Sequence, residues 1–208
     1  PLTIMQMEAD VMGMNYFGET IDEKFVQKYS KKFINQIQHL NTTIDQFRRF
    51  FQPTTKTEPF DLKNAIQSTL DLIKGDIHKN SIDIETTLQE DLSIKGNENE
   101  FKHILINLIN NSKDAFNENH ISNENRLIKI TLVADNKSIQ MLVEDNAGGI
   151  PENIIDTIFN PRVTTKETGT GVGLYLSSQI ADKLGATLSV HNKNEGCEFC
   201  FEKMIELL

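Results

Sequence analysis

Apolar residues in the first fifty positions recur every three or four residues, and this regular spacing then stops. The longest series is Val26, Tyr29, Phe33, Ile37, Leu40, Ile44, Phe47 and Phe51. Such a series places apolar side chains along one face of a helix. Pro53 and Pro59, with three threonines between them, then interrupt the pattern. We therefore predict a helical domain over 1–52, a linker over 53–59 and a second domain over 60–208.

A shorter apolar series, from Leu2 to Tyr16, precedes the long one, and together they predict a helical hairpin. Gly18 can end the first helix, and Thr20–Glu23 has the spacing of a capping box that begins the second. Two helices bury too little surface for a core of their own. We expect residues 1–51 to pair with a second copy of the chain as a four-helix bundle. Packing against the rest of the same chain is the alternative.

The second domain mixes helical and strand patterns that do not alternate strictly. Helices are predicted near 62–79, 97–118 and 172–184, and strands near 82–85, 127–134, 138–145, 186–192 and 196–203. Strands that run mainly antiparallel beside separate helices indicate an α+β fold. We expect a two-layer α/β sandwich in which one layer of helices covers a mixed sheet.

Charge is distributed unevenly along the chain. The formal net charge is −9, and residues 1–58 contribute none of it because they carry equal numbers of acidic and basic side chains. An acidic second domain argues against an electrostatic nucleic-acid surface, so no nucleic-acid partner is expected. If this domain binds phosphate groups, backbone N–H groups and a metal ion must recognise them.

No apolar run in the sequence approaches the roughly 18 residues of a membrane span. We therefore expect no membrane contact by these residues. The sequence begins at Pro1, so we expect it to be part of a longer protein. Whether that protein is anchored in the inner membrane stays open.

The two cysteines, Cys197 and Cys200, lie three positions apart in an alternating segment. Positions three apart point to opposite faces of a strand, so the thiols cannot easily form a bridge or share a metal ion. The sequence offers no second cysteine pair to complete a zinc site. We predict reduced thiols in a cytoplasmic protein.

Three polar residues border the apolar face of the predicted helix 97–118. Asn107, Asn111 and Asp114 are spaced by four and three, which places them along the edge of the face that contains Leu108. Asparagine is a poor residue for the middle of a helix. Amides at the edge of a buried surface suggest contacts to a ligand or a metal ion, and a solvated rim is the alternative.

Asp145 shares a strand face with Met141 and Val143, because alternate residues of a strand point the same way. A carboxylate on an inner face needs hydrogen-bond donors, and an exocyclic amine on a flat ligand can supply them. The segment Asn146–Ile150, with two glycines, allows the backbone to approach such a ligand closely. A plain exit from strand to turn is the alternative.

The segment Gly169–Leu174 carries a glycine at every second position before the predicted helix 172–184. Free N–H groups and the positive end of the helix dipole favour phosphate at such a helix start. The spacing G-x-G-x-G, with no strand directly before it, does not fit a dinucleotide-binding fold. No G-x-x-x-x-G-K-[ST] segment occurs in the sequence either.

In this order the three segments resemble the ATP-binding domain shared by sensor histidine kinases, gyrase-type ATPases, Hsp90 and MutL. The matching motifs are Asn107–Ser112 for the N box, Asp145–Ile150 for the G1 box, Ile158–Pro161 with Thr164–Lys166 for the F box, and Gly169–Leu174 for the G2 box. The F box is typical of histidine kinases, and the resemblance spans about 59–208. Ser112 stands where the family usually has alanine, and Ala147 where it usually has glycine.

The resemblance implies that the domain binds ATP with Mg²⁺. Asn111 would hold Mg²⁺, Asp145 would accept a hydrogen bond from the adenine amino group, and Gly149 would leave room beneath the base. Asn107 and Asp114 would line the nucleotide.

The resemblance also implies contacts on the lid and at the glycine-rich segment. Lys166 would approach the phosphates, and the backbone amides of 171–174 would hold them. The remaining expected contacts are Ala147, Ile150, Thr165, Gly169, Thr170, Gly171, Val172, Gly173 and Leu174.

The helical hairpin would then be a dimerisation and phosphotransfer domain, with Pro1 and Leu2 at the end of the family's H-x-x-x-x-P-L motif. The implied reaction transfers the γ-phosphoryl group of ATP to a histidine that precedes this sequence, and then to an aspartate of a response-regulator receiver domain. The implied partners are a second copy of the chain and that receiver domain. A related ATPase, a serine-directed anti-sigma-factor kinase and a non-catalytic scaffold are the alternatives.

Overall fold

The computed structural model describes residues 22, 24–34, 37, 57–164, 166 and 170–205. The chain divides into two units, of which one comprises residues 1–52 and 164–170, and the other residues 53–163 and 171–208.

In the first unit, residues 24–34 and 37 are helical, in agreement with the spacing of apolar residues. Asp22 accepts a hydrogen bond from the backbone N–H of Phe25 at 2.7 Å, which is the geometry of an N-cap residue. The rest of the predicted hairpin lies outside the described residues. The hairpin and the four-helix bundle therefore stay predictions.

The second unit contains a five-stranded mixed sheet and a separate pair of short strands. In chain order the strands are β1 (Glu58–Asp61), β2 (Asp83–Leu88), β3 (Ser93–Gly96), β4 (Leu127–Ala134), β5 (Ser138–Asp145), β6 (Thr187–Asn192) and β7 (Cys197–Met204). The large sheet has the order β2-β4-β5-β7-β6. In it β2 pairs with β4 in parallel, and the other neighbours are antiparallel. The strands β1 and β3 form the antiparallel pair.

Among the described residues of the second unit, three α-helices accompany these strands. They are α1 (Leu62–Lys79), α2 (Glu98–Glu118) and α3 (Gly173–Lys183). Asp61 caps α1 by accepting from the N–H of Asn64 at 2.7 Å, and Asn97 caps α2 by accepting from the N–H of Asn99 at 2.9 Å. In the part of the chain that the structure describes, no helix is long and apolar enough to cross a membrane.

Buried side chains fill the space between the helices and one face of the large sheet. Alternate residues of its central strands are buried on this face, namely Ile128, Ile130, Leu132, Met141, Val143, Phe199 and Phe201. Helix α2 packs there through Phe101, whose ring centroid lies 5.5 Å from that of Phe201. On the opposite face Lys129 is exposed. This one-sided burial holds α2 against the inner face of the sheet.

The predicted α+β fold, with a mixed sheet and one helical layer, is confirmed. The sequence pattern does not predict β1 or β3, since four residues are too few to show a clear alternation. Strand β1 begins at Glu58, within the last two residues of the predicted linker 53–59. The strand predicted near 82–85 runs from Asp83 to Leu88.

Candidate functional site

Asp145 ends β5 with its side chain on the inner face of the sheet, as predicted, and is 6% exposed. The hydroxyl of Ser112 on α2 donates to Oδ2 of Asp145 at 2.6 Å. The backbone N–H of Ala147 donates to Oδ1 at 3.0 Å. Cys197 adds two longer contacts, from its N–H to Oδ1 at 3.4 Å and from its thiol to Oδ2 at 3.6 Å. These donors satisfy the buried carboxylate.

The turn between β6 and β7 packs directly against the backbone of Asp145. A Cβ atom on Gly196 would lie 1.8 Å from the carbonyl oxygen of Asp145, so a larger residue cannot fit without a shift of the backbone. The N–H of Gly148 donates to the carbonyl oxygen of Glu195 at 2.8 Å. The turn therefore holds the loop that follows Asp145.

The loop after Asp145 adopts backbone conformations that suit its two glycines. The φ angle is +99° at Gly148 and +77° at Gly149, a region that residues with a Cβ atom rarely enter. The side-chain amide of Asn119, at the end of α2, donates to the carbonyl oxygen of Ala147 at 2.5 Å. The predicted close-approach loop is thus tied to the end of α2.

Two asparagine side chains hold the ends of this loop. Asn146 accepts from the N–H of Leu127 at 3.0 Å and donates to the carbonyl of Asn125 at 2.7 Å, so it secures the start of β4. Asn192, on β6, accepts from the N–H of Ile150 at 2.8 Å and donates to its carbonyl at 2.7 Å. The amide of Asn192 therefore pairs with Ile150 as a neighbouring strand would.

The three polar residues predicted at the edge of α2 are all half-buried: Asn107, Asn111 and Asp114. The side-chain amide of Asn107 donates to Oγ of Ser177 on α3 at 2.9 Å. A Cβ atom on Gly173 would lie 2.5 Å from Oδ1 of Asn107. The absence of a side chain at Gly173 thus lets the start of α3 touch α2.

The first turn of α3 presents backbone donors. Its N-cap residue, Val172, makes no side-chain capping bond, and the first turn contains no acidic residue. The first N–H groups of a helix have no acceptor within the helix, and the dipole favours an anion beside them. Gly171 precedes the helix with a φ angle of +63° and accepts from the N–H of Arg162 at 2.9 Å.

Four of the predicted contacts fall in the segment 164–170, which belongs to the first unit. Thr165 and Gly169 lie outside the described residues. Lys166 and Thr170 are half-buried, and the N–H of Lys166 donates to Oγ1 of Thr164 at 3.1 Å. Their roles as phosphate contacts stay predictions.

Asn111 is the predicted ligand of Mg²⁺. Its side-chain nitrogen is buried, and its side-chain oxygen is the kind of hard ligand that Mg²⁺ prefers. Among the described residues, no group of three or more His, Cys, Asp or Glu could hold a metal ion. A single amide oxygen suits an ion that keeps several waters and binds together with nucleotide phosphates.

Cys197 and Cys200 are both free thiols, and they occupy opposite faces of β7 as predicted. Burial raises the pKa of the Cys197 thiol, and the nearby carboxylate of Asp145 adds to the effect. Burial also raises the pKa of Cys200, with Glu202 and Glu198 contributing. Both thiols are therefore protonated at neutral pH.

An open groove of about 930 Å³ lies beside β2 and the start of β4. Four carboxylates line it, from Asp83, Glu85, Glu124 and Glu195, together with other residues. Carboxylates repel phosphate groups, and the groove shares only Asn146 with the four sequence motifs. The groove therefore does not fit the predicted phosphate-bearing ligand.

Several contacts that shape the site were not predicted. Ser112 gives no local signal for its bond to Asp145, which lies 33 residues away. A glycine directly before a strand, as at Gly196, is typical of a turn, so its close approach to Asp145 is not evident from the sequence. No local signal identifies Asn192, because its partner Ile150 lies 42 residues away.

Residues 96–206 match the family described as histidine kinase-, DNA gyrase B-, and HSP90-like ATPase. The chain belongs to this family. Similar proteins include the two-component sensor PprA of Pseudomonas aeruginosa, 25% identical over 95% of this chain, and sporulation kinase A of Bacillus subtilis, 30% identical over 69% of this chain. The chain spans 22% of the length of PprA and 23% of sporulation kinase A.

Solved histidine kinase structures share the fold of this ATPase domain. The catalytic domain of the histidine kinase ThkA is 31% identical, with a TM-score of 0.62 over 72% of this chain and 96% of that one. ThkA in complex with the response regulator protein TrrA has a TM-score of 0.72 over 98% of this chain and 59% of that one. At 24% identity the second likeness concerns the fold alone.

Proposed function

We propose that residues 60–205 bind ATP with Mg²⁺ and act as the catalytic domain of a protein-histidine kinase. The observation that carries the proposal is the position of α2 between two different recognition elements. Ser112 joins α2 to the buried acceptor Asp145. Asn107 donates to Ser177 on α3 and packs against Gly173 at the start of that helix. One helix thus connects an acceptor for a base to a helix N-terminus for phosphates. Membership in the ATPase family supports this interpretation.

At the base end of the site, Asp145 accepts a hydrogen bond from the exocyclic amine of adenine. Gly149 lies in the loop beneath the base, and Ala147 and Ile150 complete that loop. The contacts of Asn119 and Asn192 hold the loop before ligand binding. Nucleotide binding therefore loses little free energy to ordering of the loop.

At the phosphate end, the N–H groups of 171–174 hold the phosphates at the start of α3. Asn111 binds Mg²⁺, and Asn107 and Asp114 line the nucleotide. The ion neutralises charge on the phosphates. Lys166, with Thr165, Gly169 and Thr170, approaches the phosphates from the segment 164–170. Charge neutralisation by the metal and by backbone dipoles suits a domain whose own net charge is negative.

For the whole protein, we propose transfer of the γ-phosphoryl group to a histidine that precedes Pro1, and then to an aspartate of a response regulator. ThkA, whose catalytic domain is 31% identical to this chain, has been solved in complex with a response regulator protein, and this supports the class of partner. Residues 1–51 form the homodimer in this proposal. The two free thiols fit a cytoplasmic location.

Calorimetric titration with Mg-ATP tests the assignment of Asp145. Asp145→Asn replaces an acceptor by a group that also donates, so we expect ATP affinity to fall about tenfold or more. The matched control is Glu144→Gln, which makes the same change one residue earlier, on the other face of β5, and should leave the affinity unchanged. Equal affinities of the wild type and Asp145→Asn would refute the assignment.

Incubation with γ-labelled ATP separates a histidine kinase from the other ATPases of the family. We expect this chain to stay unlabelled, and a chain that begins some tens of residues earlier to acquire acid-labile label that resists base. Acid-labile label on the present chain would show that the acceptor is one of its own histidines. Base-labile, acid-stable label would favour a serine-directed kinase.

A further inference from the structure

The carboxylate of Asp145 is already surrounded by hydrogen-bond donors. A carboxylate offers about four lone-pair positions. Oδ1 accepts from the N–H groups of Ala147 and Cys197, and Oδ2 accepts from the hydroxyl of Ser112 and the thiol of Cys197. An amine that approaches Asp145 must therefore displace one of these donors.

The bond from Ser112 is the strongest of the four contacts. Its length of 2.6 Å is typical of a hydroxyl that donates to an ionised carboxylate. The same hydroxyl lies 3.3 Å from the carbonyl oxygen of Leu108, but it has one hydrogen, and the shorter contact to a charged acceptor takes it. Ser112 is 1% exposed, so water does not compete for this bond.

The thiol of Cys197 is the weakest of the four donors. It lies 3.6 Å from Oδ2 of Asp145, and S–H groups are poor donors compared with N–H and O–H groups. Burial raises the pKa of this thiol, so it keeps its hydrogen and remains a donor at neutral pH. The backbone N–H of Cys197 donates to Oδ1, whereas the thiol shares Oδ2 with the hydroxyl of Ser112.

We propose that Ser112 is a positioning residue that holds Oδ2 of Asp145, and that the thiol of Cys197 leaves Oδ2 when a purine amino group binds. The proposal rests on the proposed function, because it takes Asp145 as the acceptor for the base. Ser112 then fixes the position of the oxygen atom that accepts the hydrogen bond from the amine. The thiol of Cys197 competes with the amine for that atom. The two side chains touch the same oxygen atom and have opposite effects on affinity.

Calorimetric titration of the wild type, Ser112→Ala and Cys197→Ala tests the proposal. The probes are Mg-ADP and the Mg²⁺ complex of purine riboside 5′-diphosphate, which lacks the 6-amino group. We expect Ser112→Ala to weaken ADP binding about tenfold and Cys197→Ala to strengthen it about two- to fivefold. Affinity for the analogue should change by less than about twofold in both variants, because it has no amine to place.

Ser138→Ala is the matched control. Ser138 is also buried and donates to a carboxylate, that of Glu202, at 2.9 Å, but it begins β5 whereas Asp145 ends it. This variant should lose stability without a change in affinity for either ligand. If Cys197→Ala does not fold, Cys197→Val fills the space without a donor and should also strengthen ADP binding. Ser112→Cys keeps a weak donor and should bind ADP with intermediate affinity.

Three results would overturn the proposal. Equal losses for ADP and the analogue in Ser112→Ala would indicate a structural role for the serine. Weaker ADP binding by Cys197→Ala and Cys197→Val would mean that the thiol contributes to ADP binding instead of competing with it. Unchanged ADP affinity in all variants would remove both roles. A wild-type chain that binds neither probe would instead refute the proposed function, and with it this inference.

Discussion

At the scale of single residues, Gly196 and Gly75 show how differently one residue type acts in this domain. A Cβ atom on Gly196 would lie 1.8 Å from the carbonyl oxygen of Asp145, whereas one on Gly75, within α1, would meet no atom within 4 Å apart from the backbone of α1 itself. Gly196 is needed for close packing of two backbones. Gly75 only lowers the helix propensity of α1.

These surroundings predict stability changes of opposite sign for the same substitution. Gly196→Ala should lower the free energy of unfolding by about 1–3 kcal/mol, the usual range for an overpacked site. Gly75→Ala should raise it by about 0.5–1 kcal/mol, because alanine favours the helix. Urea unfolding of both variants measures the difference. A neutral Gly196→Ala would contradict the contact between this turn and Asp145.

Only the direction of the Asp145 side chain, and not its partners, could be predicted from its neighbours in sequence. Its inward direction follows from the two-residue period of β5. Its donors Ser112 and Cys197 lie 33 and 52 residues away. Local patterns therefore indicate that the carboxylate needs partners, but packing decides which residues supply them.

At the scale of elements, the start of α3 lacks the capping that the other helices have. Asp61 and Asn97 cap α1 and α2 through their side chains, whereas Val172 cannot. An uncapped helix start is less stable by about 1 kcal/mol. The loss of stability leaves N–H groups available to an anionic ligand, which fits the proposed phosphate site.

Two substitutions at Val172 separate the effect of charge from that of a polar side chain at the start of α3. The φ and ψ angles of Val172 are −102° and −26°, whereas an N-cap side chain bonds from an extended backbone, so we expect neither Val172→Asn nor Val172→Asp to raise the free energy of unfolding by capping. ATP affinity should fall with aspartate, whose charge repels the phosphates, and change little with asparagine. Thermal unfolding and calorimetric titration measure the two quantities. Unchanged ATP affinity in both variants would exclude the start of α3 as the phosphate site.

The long elements were predictable from periodicity and the short ones were not. The predicted bounds 127–134 and 138–145 agree with β4 and β5, because eight residues show a clear alternation. The pair β1 and β3 is stabilised by its cross-strand register, from Glu58 opposite Gly96 to Asp61 opposite Ser93. That register joins segments far apart in the sequence, so no local pattern shows it.

At the scale of the whole molecule, the two units differ in how their apolar side chains are covered. The second unit buries a continuous core between helices and sheet. In the first unit, the described residues Val26, Ile34 and Ile37 are exposed. Exposed apolar side chains in a helical segment favour pairing with another helix surface.

We expect the chain to self-associate through residues 1–51. A chain that begins at Pro53 should be monomeric and still bind ATP, since it retains β1 and the whole second unit. Light scattering at tens of micromolar, roughly the range of weak assemblies, measures the mass of each. Ile37→Glu should weaken association, whereas Lys28→Glu, off the apolar series, should not. A monomeric 208-residue chain would contradict the prediction.

Periodicity alone determined the kinds of the longer elements in the second unit, the inner face of β5 and the border position of Asn107, Asn111 and Asp114. These properties depend on residues within a few positions of one another, and backbone geometry repeats over that range. Only the tertiary structure placed Ser112 on Asp145, the turn at Gly196 against the end of β5, and Asn192 on Ile150. Each of these contacts joins segments more than thirty residues apart, and the packing of α2 and the register of the sheet bring them together.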